Sequence, residues 1–145
     1  MNLRSVSLAT PHAITGKRTA GGGVIINIAS MAGIGVGPHP APVYAASKAA
    51  VVRFTAALAP LGRRHNIRVN CICPDWVDTP MVHRTRAAVS ADAWRTVAPA
   101  VMTEPEAIAD AVMTMIDDDR LAGGIMLCVG PTPWPRMEPA KPAQQ

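Results

Sequence analysis

The apolar positions of the chain fall into three short blocks set between longer helical patterns. Val24-Ile25-Ile26-Asn27-Ile28-Ala29 is β-branched and apolar on both faces. It follows the break Ala20-Gly21-Gly22-Gly23 and reads as a buried strand of a parallel sheet. "NIRVNCICP" predicts a second buried strand that stops at Pro74, and "AGGIMLCVG" a third. Before the first strand, Leu3, Val6 and Leu8 give residues 2–18 a partial helical stripe, which Pro11 and Gly16 weaken. Between the first and second strands comes a Gly- and Pro-dense loop, "SMAGIGVGPHPAP". Val43 to Arg64 then predicts one helix, with Val51, Phe54, Thr55, Leu58 and Leu61 at helical spacing and Pro60 kinking its last turns. Asp75 to Val101 reads as irregular or weakly helical. Thr103-Glu104-Pro105-Glu106 predicts a helix start, with Thr103 as cap and Glu106 at the capping-box position, and that helix runs to Asp117.

Helix, strand, helix, strand, helix, strand means βαβ units and a parallel sheet. The 145 residues fit one domain. With 49% hydrophobic and 17% charged residues, the chain is too apolar and too weakly charged for a disordered polypeptide. No apolar run approaches the roughly 20 residues of a spanning helix, so no membrane partner is expected. The start "MNLRSVSLAT" shows no secretory leader pattern.

The net charge of +4 is unevenly spread, because all ten acidic residues lie from Asp75 onward. A basic half raises nucleic acid as a partner. Its cations are scattered over several elements, however, and it holds a single Tyr and a single Phe to stack bases on, so nucleic-acid binding is not expected. Three cysteines without a CxxC and four scattered histidines match no metal-ligand spacing. The cysteines read as buried free thiols in a reducing cytoplasm.

The chemistry-bearing pattern is "VYAASK" at the start of the central helix. Tyr44 and Lys48 share one face, one turn apart. A free tyrosine ionises at about pH 10 and is a poor base at neutrality, whereas an ammonium beside it favours the phenolate. Ser30 ends the first strand at the carboxyl edge of the sheet, where open α/β sheets bind ligands. The next strand ends at the same edge and delivers Pro74-Asp75-Trp76-Val77-Asp78-Thr79-Pro80.

In "GGGVIINIAS", "VYAASKAAVVRFTAALAPL", "IRVNCICPDWVDTPM" and "TEPEAIADAVMTMI…AGGIMLCVG" the chain resembles the short-chain dehydrogenase/reductase family. "GGGVIINIAS", "PVYAASK" and "NCICP" are especially similar to its 15-hydroxyprostaglandin dehydrogenase-like members. The resemblance implies a partial Rossmann-like three-layer α/β/α fold with three parallel strands. Residues 1–130 would form the catalytic half, and residues 131–145 a Pro-rich, flexible tail.

The resemblance also implies a catalytic set of Asn2, Ser30, Tyr44 and Lys48. Cofactor contacts would come from Tyr44, Lys48, Pro74, Asp75, Val77 and Thr79. The cofactor would be NAD or NADP, with NAD favoured, and the substrate a small secondary alcohol or ketone. Tyr44 would move the hydroxyl proton, and Lys48 would lower its pKa and bind the nicotinamide ribose. Ser30 would hold the substrate oxygen, and Asn2 would order a water beside Lys48. Met81, Val82, Trp94 and Met102 suggest an apolar pocket wall.

The chain departs from the family pattern in three ways. The Ser30-to-Tyr44 spacing is one residue longer than usual, and Asp75 stands where the family has glycine. The family's first half, with its glycine-rich phosphate turn, has no counterpart here. "GGGVII" puts its glycines before a strand, not between a strand and a helix. Two consequences are expected. The first strand has an unpaired edge, prone to pairing. The isolated chain binds NAD(H) very weakly and has little or no activity. The resemblance further implies a homo-oligomer through the first two helices, the first of which Pro11 and Gly16 weaken. The alternative is a non-enzymatic remnant that acts as an interaction module.

Overall fold

A computed structural model describes residues 2–130 and 133–137. The elements are α1 (Asn2–Thr19), β1 (Gly23–Ile28), a 3₁₀ turn (Met31–Gly33), α2 (Pro42–Ala57), α3 (Pro60–His65) and β2 (Ile67–Pro74). They continue with α4 (Pro80–Ala87), α5 (Ala91–Val97), α6 (Pro105–Asp117), β3 (Ile125–Cys128) and β4 (Arg136–Met137). The sheet order is β1-β2-β3-β4. β1, β2 and β3 run parallel, as the alternating pattern requires, and β4 is antiparallel to β3.

β2 is the central strand, and its apolar residues feed both faces. On one face Cys71 and Cys73 pack with Val51 of α2 and with Leu3 and Val6 of α1. On the other, Ile72 packs with Ala111 and Met115 of α6. Helices therefore cover both faces, giving three α/β/α layers. Met115 is fully buried, and burial of such a side chain contributes about 1.5–3 kcal/mol. β1 pairs with β2 alone, and its outer edge meets no strand among the described residues.

Several sequence expectations change. Residues 43–64 form two helices, not one kinked helix. α2 ends at Ala57, and Pro60 opens α3, because a proline ring has no N–H to continue the α2 ladder. Asn66 then caps α3 in the left-handed region (φ 55°). Residues 75–101 are more helical than their weak periodicity suggests. Thr79 caps α4 through Val82 N–H, and Ser90 caps α5 through Ala93 N–H. Thr103 is not the cap of α6. Glu104 occupies that position without a side-chain bond. The Thr103 backbone is engaged elsewhere: its N–H donates to Trp76 O (2.9 Å), and its carbonyl accepts from Asp78 N–H (2.8 Å). Within the Pro-rich stretch, Arg136 and Met137 pair with β3 as β4. Residues 131–132 and 138–145 of that stretch lie outside the described residues.

The three cysteines are free and buried. The Cys128 thiol is pushed up to about 11, first by burial. The Cys73 thiol is also pushed up, by its hydrogen bond with Cys71 and then by burial. Both stay protonated at neutral pH, as packing groups do.

Candidate active site

β1 ends at Ile28, and Ala29 N–H still donates to Ile72 O (2.8 Å), so the sheet holds the chain until Ser30. Ser30 is extended (φ −170°, ψ 156°) and caps the 3₁₀ turn, with Ala32 N–H donating to its Oγ at 3.1 Å. One lone pair is thereby engaged, and the hydroxyl proton remains free to donate outward. The loop then returns to α2, whose Pro42 sits in the first turn and needs no N–H partner there.

Tyr44 lies in that first turn and is 38% exposed. No described residue hydrogen-bonds its hydroxyl. Lys48, one turn on, donates from Nζ to Ile28 O (3.0 Å). Its Nζ stands 5.8 Å from the Tyr44 ring centroid. The α2 ammonium is thus tied to the end of β1, two residues before Ser30. His39 adds a neighbour that the sequence did not single out, with its ring centroid 6.3 Å from that of Tyr44. His39 Nδ1 lies 3.0 Å from Ala41 N and 3.3 Å from Ala41 O, which hold the ring against the start of α2.

Gly33 is the other residue that sequence reasoning missed. It is buried where the 3₁₀ turn meets α2. A Cβ there would stand 2.6 Å from Lys48 C and 2.6 Å from Ala49 N. These are backbone atoms, so α2 itself would have to move. The signal in the sequence is "AGIGVG", which reads only as loop chemistry. Gly33→Ala is expected to destabilise the chain by about 1–2 kcal/mol and to loosen the Lys48–Ile28 contact. Urea unfolding and the lysine Nζ resonance check it, and an unchanged midpoint refutes it.

Asn2 opens α1, and its Nδ2 lies 3.5 Å from Ser47 Oγ, at the long end of hydrogen bonding. Ser47 Oγ in turn donates to Tyr44 O (2.7 Å). The structure therefore sets Asn2 against α2, one residue from Lys48.

Pro74 ends β2 opposite Cys128. Beyond it, Val77 bridges Thr103. That bridge uses Trp76 O and Asp78 N–H, so the N–H and C=O of Val77 itself face away from Thr103 and take no bond from a described residue. Thr79 Oγ1 accepts from Val82 N–H (3.5 Å), which leaves its proton free. Asp75 lines a cleft whose wall contains none of Ser30, Tyr44 and Lys48. Partial burial raises its carboxyl above the ordinary carboxylate value, and the Trp76 N–H partly opposes that shift. Of the expected pocket wall, Trp94 is buried edge-to-face against Trp76, and Met81 is exposed.

A largely parallel sheet sandwiched by helices, with hydroxyl, phenol and ammonium groups at its carboxyl edge, defines a Rossmann-like α/β protein. A family model described as enoyl-(acyl carrier protein) reductase matches residues 1–127. The chain belongs to the short-chain dehydrogenase/reductase family. It is 34% identical over 115 residues to the 15-hydroxyprostaglandin dehydrogenase (NAD(+)) of Rattus norvegicus, covering 72% of this chain and 43% of that one. It is 33% identical over 122 residues to the cis-4-hydroxycyclohexanecarboxylate dehydrogenase of Sinomonas cyclohexanicum, covering 81% and 47%. The fold superposes on a short-chain dehydrogenase/reductase of Burkholderia xenovorans with a TM-score of 0.78 and 26% identity, covering 89% of this chain and 52% of that chain. The chain therefore spans about half the length, or less, of the relatives it matches. No helix among the described residues is long and apolar enough to cross a membrane.

Proposed function

We propose that this chain is the catalytic half of an oxidoreductase that interconverts a small secondary alcohol and its ketone. The observation that carries this reading is the gathering of Ser30, Tyr44 and Lys48 at the end of β1, with Lys48 tied to Ile28 O. The donors present fit the nicotinamide riboside end of a dinucleotide. Lys48 keeps two N–H groups beyond its bond to Ile28, Val77 offers its free N–H and C=O, and Thr79 offers its hydroxyl. No glycine-rich turn opening a helix answers the adenosine end among the described residues. NAD is favoured over NADP because the rat relative is an NAD(+) enzyme by name.

When bound, the nicotinamide supplies the hydride acceptor or donor. The Ser30 hydroxyl donates to the substrate oxygen and stabilises charge that grows there. The Tyr44 hydroxyl exchanges the substrate's proton. Lys48 holds positive charge beside the phenol and so favours its ionised form during that exchange. Asn2 steadies Ser47, and through it the first turn of α2. The relative named for a hydroxycyclohexanecarboxylate supports a hydroxy acid as a trial substrate. A cytoplasmic setting fits the free thiols, and a homo-oligomer through α1 and α2 fits the exposed Leu8.

The test has two arms. Joined in frame to the amino-terminal half of a full-length relative, the chain is expected to reduce NAD with cis-4-hydroxycyclohexanecarboxylate. The chain alone is expected to bind NAD(H) too weakly for calorimetry at micromolar concentrations. A joined protein that folds yet transfers no hydride from any secondary alcohol refutes the catalytic reading. Micromolar NAD(H) binding by the monodisperse chain refutes the half-site reading. The open edge of β1 favours a second role for the chain alone, as an interaction module pairing through that strand.

A further inference from the structure

We propose that the cleft between the end of β2, the start of α6 and the chain after β3 binds an organic cation of the quaternary or alkyl ammonium type. Its volume is about 400 Å³, within the range of small-molecule sites. Trp76, Met102 and Trp134 give it apolar and aromatic walls, and Asp75 and Glu104 give it two carboxylates. No lysine, arginine or histidine lines it among the described residues. In a chain of net charge +4, a cleft whose ionisable lining is wholly acidic among the described residues selects for positive charge. Neither carboxylate is in an ion pair with a described residue. The partial burial that raises the Asp75 carboxyl is a cost that a bound ammonium would offset.

The walls are already held in place. Trp76 stacks edge-to-face on Trp94 with centroids 5.1 Å apart. Trp134 Nε1 donates to Gly130 O at 2.8 Å. The Thr103 backbone bonds both Trp76 and Asp78. An ammonium between indole faces and a carboxylate is attracted by the ring quadrupoles and by the charge. The positive end of α6 opposes a cation, and Glu104 and Glu106 offset it there. Ser30, Tyr44 and Lys48 do not line the cleft, and ammonium binding is read without hydride transfer, so failure of this proposal and failure of the hydride-transfer reading are distinguishable.

Choline chloride titrated into the whole chain tests this, read by tryptophan fluorescence against sodium chloride at matched ionic strength. The uncharged isostere 3,3-dimethyl-1-butanol serves as comparison. A saturable response to choline is expected, with the alcohol at least about tenfold weaker. Asp75→Asn is expected to weaken choline binding roughly tenfold, and its exposed position leaves thermal unfolding unchanged. Asp92→Asn, which removes a carboxylate outside the cleft, leaves choline binding unchanged. The absence of a saturable response, equal affinity for the alcohol, or full affinity in Asp75→Asn overturns the proposal.

Discussion

Tyr44→Phe is expected to lower turnover by about 10²–10⁴-fold in the chain joined to a relative's amino-terminal half, the range associated with a positioned proton donor or acceptor. The substitution deletes one oxygen. That oxygen takes no hydrogen bond from a described residue, so its loss leaves no buried group unsatisfied. The ring is 38% exposed and keeps its place beside His39 and Lys48. Stability should therefore stay within about 0.5 kcal/mol of the parent. Steady-state hydride transfer and urea unfolding measure the two quantities separately. A variant that keeps more than about a tenth of the rate removes Tyr44 from the proton-transfer role.

Asn70→Ala is expected to be the most destabilising single change discussed, at about 2–5 kcal/mol. Asn70 is fully buried on β2. Its Nδ2 donates to Leu121 O (3.1 Å), and its Oδ1 accepts from Gly124 N–H (3.0 Å). The side chain thus satisfies both ends of the turn that leads into β3. Truncation leaves a carbonyl and an N–H unpartnered away from water. β3 would lose its register on β2, and with it the carboxyl edge that carries Pro74 and Asp75. Urea unfolding of the variant reads this directly, and a loss below about 1 kcal/mol would show that water replaces both bonds.

These two residues differ in how visible they are in the amino-acid string. Tyr44 and Lys48 stand four apart on one helix, so their neighbourhood follows from helical geometry. Ser30 is legible for a similar reason, since a β-branched apolar run must end where its hydroxyl begins. Asn70 sits inside "NCICP", but its two partners lie more than fifty residues downstream, and no local pattern announces them. Gly33 is a glycine among loop glycines until α2 is seen packed so close that an added Cβ would stand 2.6 Å from its backbone. His39 acquires a neighbour only because the Pro-rich loop folds back over Tyr44.

Local and tertiary determinants divide along the same line. The order of the elements, the parallel sense of the three strands and the helical pairing of Tyr44 with Lys48 follow from short-range periodicity, chain sterics and turn chemistry. Those forces act over a few residues and can be read from one segment at a time. The split of residues 43–64 at Pro60, the capped helices α4 and α5 and the short β4 depended on how segments meet. So did the engagement of Thr103 by Trp76 and Asp78, and the turning of Asp75 into an acidic aromatic cleft. Each is a contact between parts distant in the chain, where burial and hydrogen-bond satisfaction outweigh local preference.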